Sequence, residues 1–194
     1  MPMILWRVSK AAEAERFLEA FRERLAKFGL ELHAAKTRLI EFGQSAERNR
    51  KRRGEAQPES FTFLGFTHYC GKRRGATGAS LSGAKTAEKR MVAKLHALKA
   101  ELIRRKHDPS AHVGKWLEKV VQGYYQYHAV PGNMSQLSVF RHRLCRLWRE
   151  VLNRRSQRAE LDWQRLNPLL ERWIPFPRVL HPYPQARFAA THPK

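Results

Sequence analysis

Residues 61–66 read Phe61-Thr62-Phe63-Leu64-Gly65-Phe66, a short apolar-and-Thr run with one Gly, set between two basic stretches that also carry glycines. Six residues of this kind, bounded by turn signals, are too few for a helix and predict a buried strand. Gly65 inside the run predicts a point where another backbone comes close. The residues before the run read as a small α/β unit, and those after it as a helical bundle.

Upstream, Phe17, Phe21, Leu25 and Phe28 recur every three or four residues, with Leu18 beside them, and form the apolar stripe of a helix over residues 11–28. Gly29 is placed to end it as a C′ residue. Beyond it Leu30 and Leu32 alternate with Glu31 and His33, and residues 36–42 (KTRLIEF) are β-prone. Two short strands are expected there, or one strand, a bend and a second. Residues 43–60 then read as a loop holding Arg48, Arg50, Lys51, Arg52 and Arg53.

Downstream, Gly71, Gly75, Gly78 and Gly83 are spaced through Lys72, Arg73 and Arg74, as in a hairpin or basic finger. No Gly-Lys-Ser/Thr closes a phosphate loop and no GxGxxG is present. His68-x-Cys70 has metal-ligand spacing, but no second pair accompanies it. From residue 84 the pattern is helical. Met91, Leu95, Leu98 and Leu102 stripe a helix over 84–106, which Asp108-Pro109-Ser110 breaks. A second helix, 112–130, is expected to turn Trp116, Val120, Tyr124 and Tyr127 inward, leaving Tyr125 and His128 outward, where they could stack on unpaired bases. After Pro131-Gly132, Asn133 is placed to cap a third helix, 134–155, with Leu137, Phe140, Leu144, Trp148 and Val151 on one face. Short turns make these three helices antiparallel neighbours. A short helix over 162–173, interrupted or bent near Pro168, and a Pro-rich extended strap complete the chain.

The net charge is +21, from 38 Lys+Arg against 17 Asp+Glu, and such self-repulsion points to a polyanionic partner. That charge tips the basic loop from a merely solvated segment toward phosphate contact. No apolar run approaches the roughly 18–20 residues of a membrane-spanning helix. The opening MPMILWRV is too short and too weakly basic for a secretory signal. Cys70 and Cys145 are distant and few, as in a reduced cytoplasmic protein. The two aspartates, Asp108 and Asp162, lie far apart and read as a turn residue and a helix cap rather than metal ligands.

In their order along the chain, RFLEAFRERLAKFGLELHAAKTRLIEFG (16–43), FTFLGFTHYCGK (61–72), GKWLEKVVQGYYQYHAVPGN (114–133) with LSVFRHRLCRLWREVLNRRSQR (137–158), and ERWIPFPRVLHPYPQARF (171–188) resemble the C-terminal part of a group II intron reverse transcriptase/maturase. The resemblance implies an α+β chain: residues 1–83 as the end of a reverse-transcriptase palm, 84–158 as a helical thumb or maturase X domain, and 159–194 as a short helix and basic Pro-rich tail. Its implied partners are structured intron RNA, an RNA/DNA template–primer duplex, and a palm on a separate chain, with no membrane. Phe63, Leu64 and Gly65 fall where the family grips the primer end, and Lys36 where some polymerases place a lysine that protonates pyrophosphate; a structural or phosphate-binding lysine is the alternative there. With the charge pattern, the expected RNA- or primer-binding set adds Arg38, Arg50, Lys51, Arg52, Arg53, Lys72, Arg73, Arg74, Lys94, Arg104, Arg105, Lys115, Tyr125, His128, Arg141, Arg154, Arg155 and Arg158.

One departure limits the likeness. The family's Tyr-Ala-Asp-Asp box precedes the first helix, where this sequence has MPMILWRVSK, and no Tyr-x-Asp-Asp occurs in the chain. Two metal ions about 3.5–4 Å apart need paired carboxylates. RNA-directed DNA polymerase activity is therefore not expected of this chain alone. The expectation is a truncated or split member that binds RNA and assists splicing, with no cofactor of its own and Mg²⁺ only where a complete palm is supplied.

Overall fold

The computed structural model describes residues 11–34, 37–43, 45–72, 80–155 and 162–182. These form six helices and one three-stranded antiparallel sheet, so the chain is α+β. The chain divides into two compact units: Met1–Phe63 with His68–Gly83, and Leu64–Thr67 with Ala84–Lys194.

In the first unit, α1 (Ala11–Ala26) is followed by Gly29 at φ +66°. Leu30 N–H donates to Leu25 O at 3.1 Å and Gly29 N–H to Ala26 O at 3.0 Å, the two bonds of a Schellman cap. Phe17 and Phe21 stack at 5.8 Å along the apolar stripe. The strands expected within 30–42 do not form among the described residues. A strand needs a neighbour for its backbone groups, and here Thr37 turns back instead: its N–H and its hydroxyl both donate to His33 O at 3.1 Å. The loop expected over 43–60 contains a helix, α2 (Ala46–Arg52), with Glu47 in its first turn and three cations in its last, the arrangement the helix dipole favours.

The decisive run is not one strand. β1 (Phe61–Phe63) and β2 (Phe66–Lys72) form a hairpin around Leu64-Gly65, and β3 (Ser80–Thr86) pairs with β2 to complete the order β1-β2-β3. Leu64 (φ +47°) and Gly65 (φ +80°) both have positive φ, as a two-residue I′ turn requires. Another backbone does come close, with Ala87 N–H donating to Gly65 O at 2.9 Å, but what calls for glycine is the backbone angle. A Cβ there would meet only ring carbons of Tyr127 and His128 at 3.9–4.0 Å, an ordinary contact. The run is not buried either: Leu64 is 67% exposed. Phe61 lies edge-on to Phe42 at 5.1 Å and stacks on His68 at 5.0 Å, and Gly43 N–H donates to Cys70 Sγ at 3.4 Å, so His68 and Cys70 both serve packing here.

The second unit has the large core. It comprises α3 (Glu88–Arg104), α4 (Ser110–His128), α5 (Met134–Asn153) and α6 (Trp163–Trp173). Residues 84–86, expected to open the helix, end β3 instead. The predicted stripes of α3 and α5 are buried as expected, and α6 adds Leu166, Leu170 and Trp173 to the same cluster. Each such side chain stabilises by about 1.5–3 kcal/mol relative to exposure. Lys99 on α3 meets Glu150 on α5 at 3.8 Å, in the later half of each helix, so these two run parallel and pack directly against each other.

The inward face of α4 differs from expectation. Val113, Leu117, Val121, Tyr124, Tyr125 and His128 are buried, while Trp116 and Val120 only pack against the core edge and Tyr127 is 51% exposed. Gly114 faces α6 so closely that a Cβ would lie 2.5 Å from the Trp173 ring. Asp162 caps α6 by accepting from Trp163 N–H, and helical structure continues through Pro168. Residues 174–182 then run extended along α4 and α5. Tyr125 Oη donates to Pro175 O at 3.1 Å, Arg141 Nε to Ile174 O at 3.0 Å, and Leu180 N–H to Ala129 O at 3.0 Å. Residues 183–194 lie outside the described residues.

Candidate nucleic-acid interface

The expected binding residues divide by what already holds them. In the first unit Arg53 is clasped by Glu41 and Glu55. Arg50 donates to Ala56 O at 2.9 Å, and Arg38 lies 3.8 Å from Glu59. The guanidinium of Arg53 holds both Glu41 and Glu55 below the usual carboxylate range. In the second unit Glu101 accepts from Arg104 and Arg105, whose hydrogen bonds hold its pKa at about 2. Arg105 also covers the Trp116 ring at 4.9 Å, Arg154 bonds Glu150 at 2.7 Å, and Arg155 donates to Ser110 Oγ at 3.2 Å. Such exposed pairs are weak and can be exchanged for phosphate, but they are not a ready set of open cations.

Lys51, Arg52, Lys94 and Lys115 are exposed, with no ion pair among the described residues. Lys36, Arg73, Arg74, Arg158 and the side chain of Lys72 lie outside the described residues.

The hairpin turn is held within the second unit by the end of α4. Tyr127 Oη donates to Leu64 O at 2.6 Å, Ala87 N–H donates to Gly65 O at 2.9 Å, and Phe66 lies against Tyr127 and His128 at 5.6 and 5.1 Å. Leu64 is thereby displayed. Beneath it is a buried polar knot. Asn133 Oδ1 accepts from Thr86 N–H at 2.8 Å, and its Nδ2 donates to Thr86 Oγ1 and to His128 O, each at 2.8 Å. Asn133 thus stands at the N-cap position of α5, but its side chain joins β3 to α4 and does not cap the helix.

This knot overturns the stacking role expected of Tyr125 and His128. His128 is 8% exposed, and desolvation lowers its pKa. Tyr125 is 5% exposed beneath the strap, and burial likewise pushes its hydroxyl pKa well up. Neither ring face is available to a base.

No protein-family model, curated protein or solved structure matches the chain.

Two further cations line a groove elsewhere in the second unit. A groove of about 370 Å³ between the start of α3 and the first half of α5 is lined by Lys85, Glu88, Gln136, Val139 and Arg143. Arg146 continues the exposed ridge one turn further along α5. Lys85, Arg143 and Arg146 were absent from the sequence-derived set. The signal was there, since Val139, Arg143 and Arg146 recur at helical spacing opposite the buried stripe, but it took the α3–α5 pairing to put Lys85 beside Arg143. Among the described residues no helix is long and apolar enough to cross a membrane.

Proposed function

We propose that this chain binds structured RNA as the thumb-like, RNA-gripping part of a group II intron reverse transcriptase/maturase, assisting splicing and acting in the cytoplasm. The observation that carries the reading is the net charge of +21 combined with a helical unit whose cations lie along its outer ridges. Folded RNA is held largely through its backbone and shape, which such ridges can contact without reading bases. Free thiols at Cys70 and Cys145 accord with a reducing compartment. Lacking a Tyr-x-Asp-Asp box, the chain is not proposed to polymerise by itself. Filter binding to a folded intron RNA and to a generic duplex, titrated with salt, tests the reading. Contact with about seven phosphates gives a slope of about −5 in log affinity against log salt, and no binding even below about 100 mM salt refutes it.

A second reading is that the chain joins a catalytic palm carried by another polypeptide, forming a split RNA-directed DNA polymerase with an RNA/DNA template–primer duplex as substrate. It is favoured by the apolar surface of the first unit, where Phe28, Leu30 and Leu39 are 72%, 57% and 52% exposed. A neighbouring reading frame encoding a Tyr-Ala-Asp-Asp palm is its decisive observation.

A further inference from the structure

A second groove in the helical unit, of about 380 Å³, lies between α5, α6 and the strap that follows α6. Its size is at the low end of small-ligand clefts, ~300–1,000 Å³, and suits one planar group rather than a duplex. Phe176, on the strap, projects at its rim and is 66% exposed. Pro175 and Pro177 flank it and restrict the backbone to extended conformations. The Arg141 guanidinium lies 3.6 Å from the ring centroid, covering one face and leaving the opposite face to solvent. A ring fixed in this way contributes little to the core, yet it is the element on which single-stranded nucleic acids stack their bases.

The rest of the lining adds polar selectivity. Asn167 and Glu171 stand one turn apart on α6, and His142 of α5 lines the same groove. Trp163 forms part of the wall, with Arg149 4.8 Å from its ring centroid. Glu171 is the one carboxylate in a lining otherwise basic or neutral, and an ionised carboxylate only accepts hydrogen bonds. It therefore selects a base edge that donates. Guanine offers adjacent N1–H and N2–H₂ donors, whereas adenine and uracil each set an acceptor beside their donor on the Watson–Crick edge.

We propose that this groove holds one unpaired base of single-stranded RNA, guanine in preference, stacked on Phe176. Glu171 accepts from its Watson–Crick edge, Arg141 backs the stacking ring, and the exposed His142 faces a flanking phosphate. The proposal deepens the RNA-binding reading and rests on it. Charge favours a nucleic-acid strand over an apolar peptide, since the groove belongs to a chain of net charge +21.

RNAs of about five nucleotides, the short end of single-strand site sizes, with central G, A or U, are titrated against the whole chain by tryptophan fluorescence. Binding to folded intron RNA is measured in parallel. Phe176 and Glu171 are both exposed, so Phe176→Ala and Glu171→Gln keep the core intact. The central-G RNA binds most tightly to the unmodified chain; Phe176→Ala weakens every short RNA by about fivefold or more, and Glu171→Gln removes the preference for G. The groove is refuted if both variants behave as the unmodified chain, or if no short RNA binds while folded RNA does. Selective short-RNA binding without folded-RNA binding keeps the groove and refutes the maturase reading.

Discussion

Phe28 in the first unit is 72% exposed, while Phe140 in the second is fully buried and stacked on Tyr124 at 3.9 Å. The contrast extends to both units. Among the described residues of the first, Ala46 is the lone buried hydrophobic, and its rings meet in small groups such as Phe17–Phe21 and Phe42–Phe61–His68. In the second, one apolar cluster runs through α3, α4, α5 and α6. Apolar residues are plentiful in both, so composition does not separate them. What differs is whether a second apolar face is present to cover the first. A unit with one striped helix and a small sheet has little to bury against, and its order depends more on local devices such as the Schellman cap.

The largest expected effect tests this contrast directly. Trp148→Ala removes a fully buried indole and should destabilise the helical unit by about 3–5 kcal/mol in denaturant titrations. Phe28→Ala in the first unit should leave its transition almost unmoved. Equal losses from the two substitutions would refute the contrast.

A smaller effect comes from pH. Burial lowers the folded-state pKa of His128 below the ordinary imidazole value of about 6.5. The groups facing it are the rings of Tyr124, Phe66 and Tyr127 and the Thr86 hydroxyl, with no carboxylate among them. Below about pH 6.5 the unfolded chain takes up a proton that the native state refuses. The stability this residue contributes is therefore complete above that pH and declines as pH falls toward the lowered value. His128→Gln should flatten the fall in melting temperature, followed by tryptophan fluorescence, between pH 7 and 5. An unchanged profile would show that His128 does not govern it.

The smallest effect is at Arg53. Its two carboxylate partners raise its pKa further, yet the cluster is exposed and screened. Arg53→Ala should not measurably move either transition at physiological salt. A clear loss, abolished by added salt, would mean that the first unit relies on charge for its order more than its exposure indicates.

Much of the helical unit was legible in the sequence. Met91, Leu95, Leu98 and Leu102, and Leu137 through Val151, recur at helical spacing and are buried. Gly29 and Asp162 were readable as end signals because a C′ residue and an N-cap act through their own neighbours. The hairpin in FTFLGF was not legible. Leu-Gly lacks the Asn-Gly or Asp-Gly signature of its turn, so an apolar run concealed two strands. The candidate site was legible only as cations. Its aromatic part was misplaced because the strap that buries Tyr125 comes from 50 residues away, through the Tyr125–Pro175 bond.

The sequence by itself determined the charge, the helix faces and the helix ends, since each depends on residue type and on spacing within one or two turns. Tertiary structure alone decided which aromatics remain open. Phe176 is displayed and Tyr125 covered because the strap lies across α4 and α5, and no local period encodes where a distant segment comes to rest.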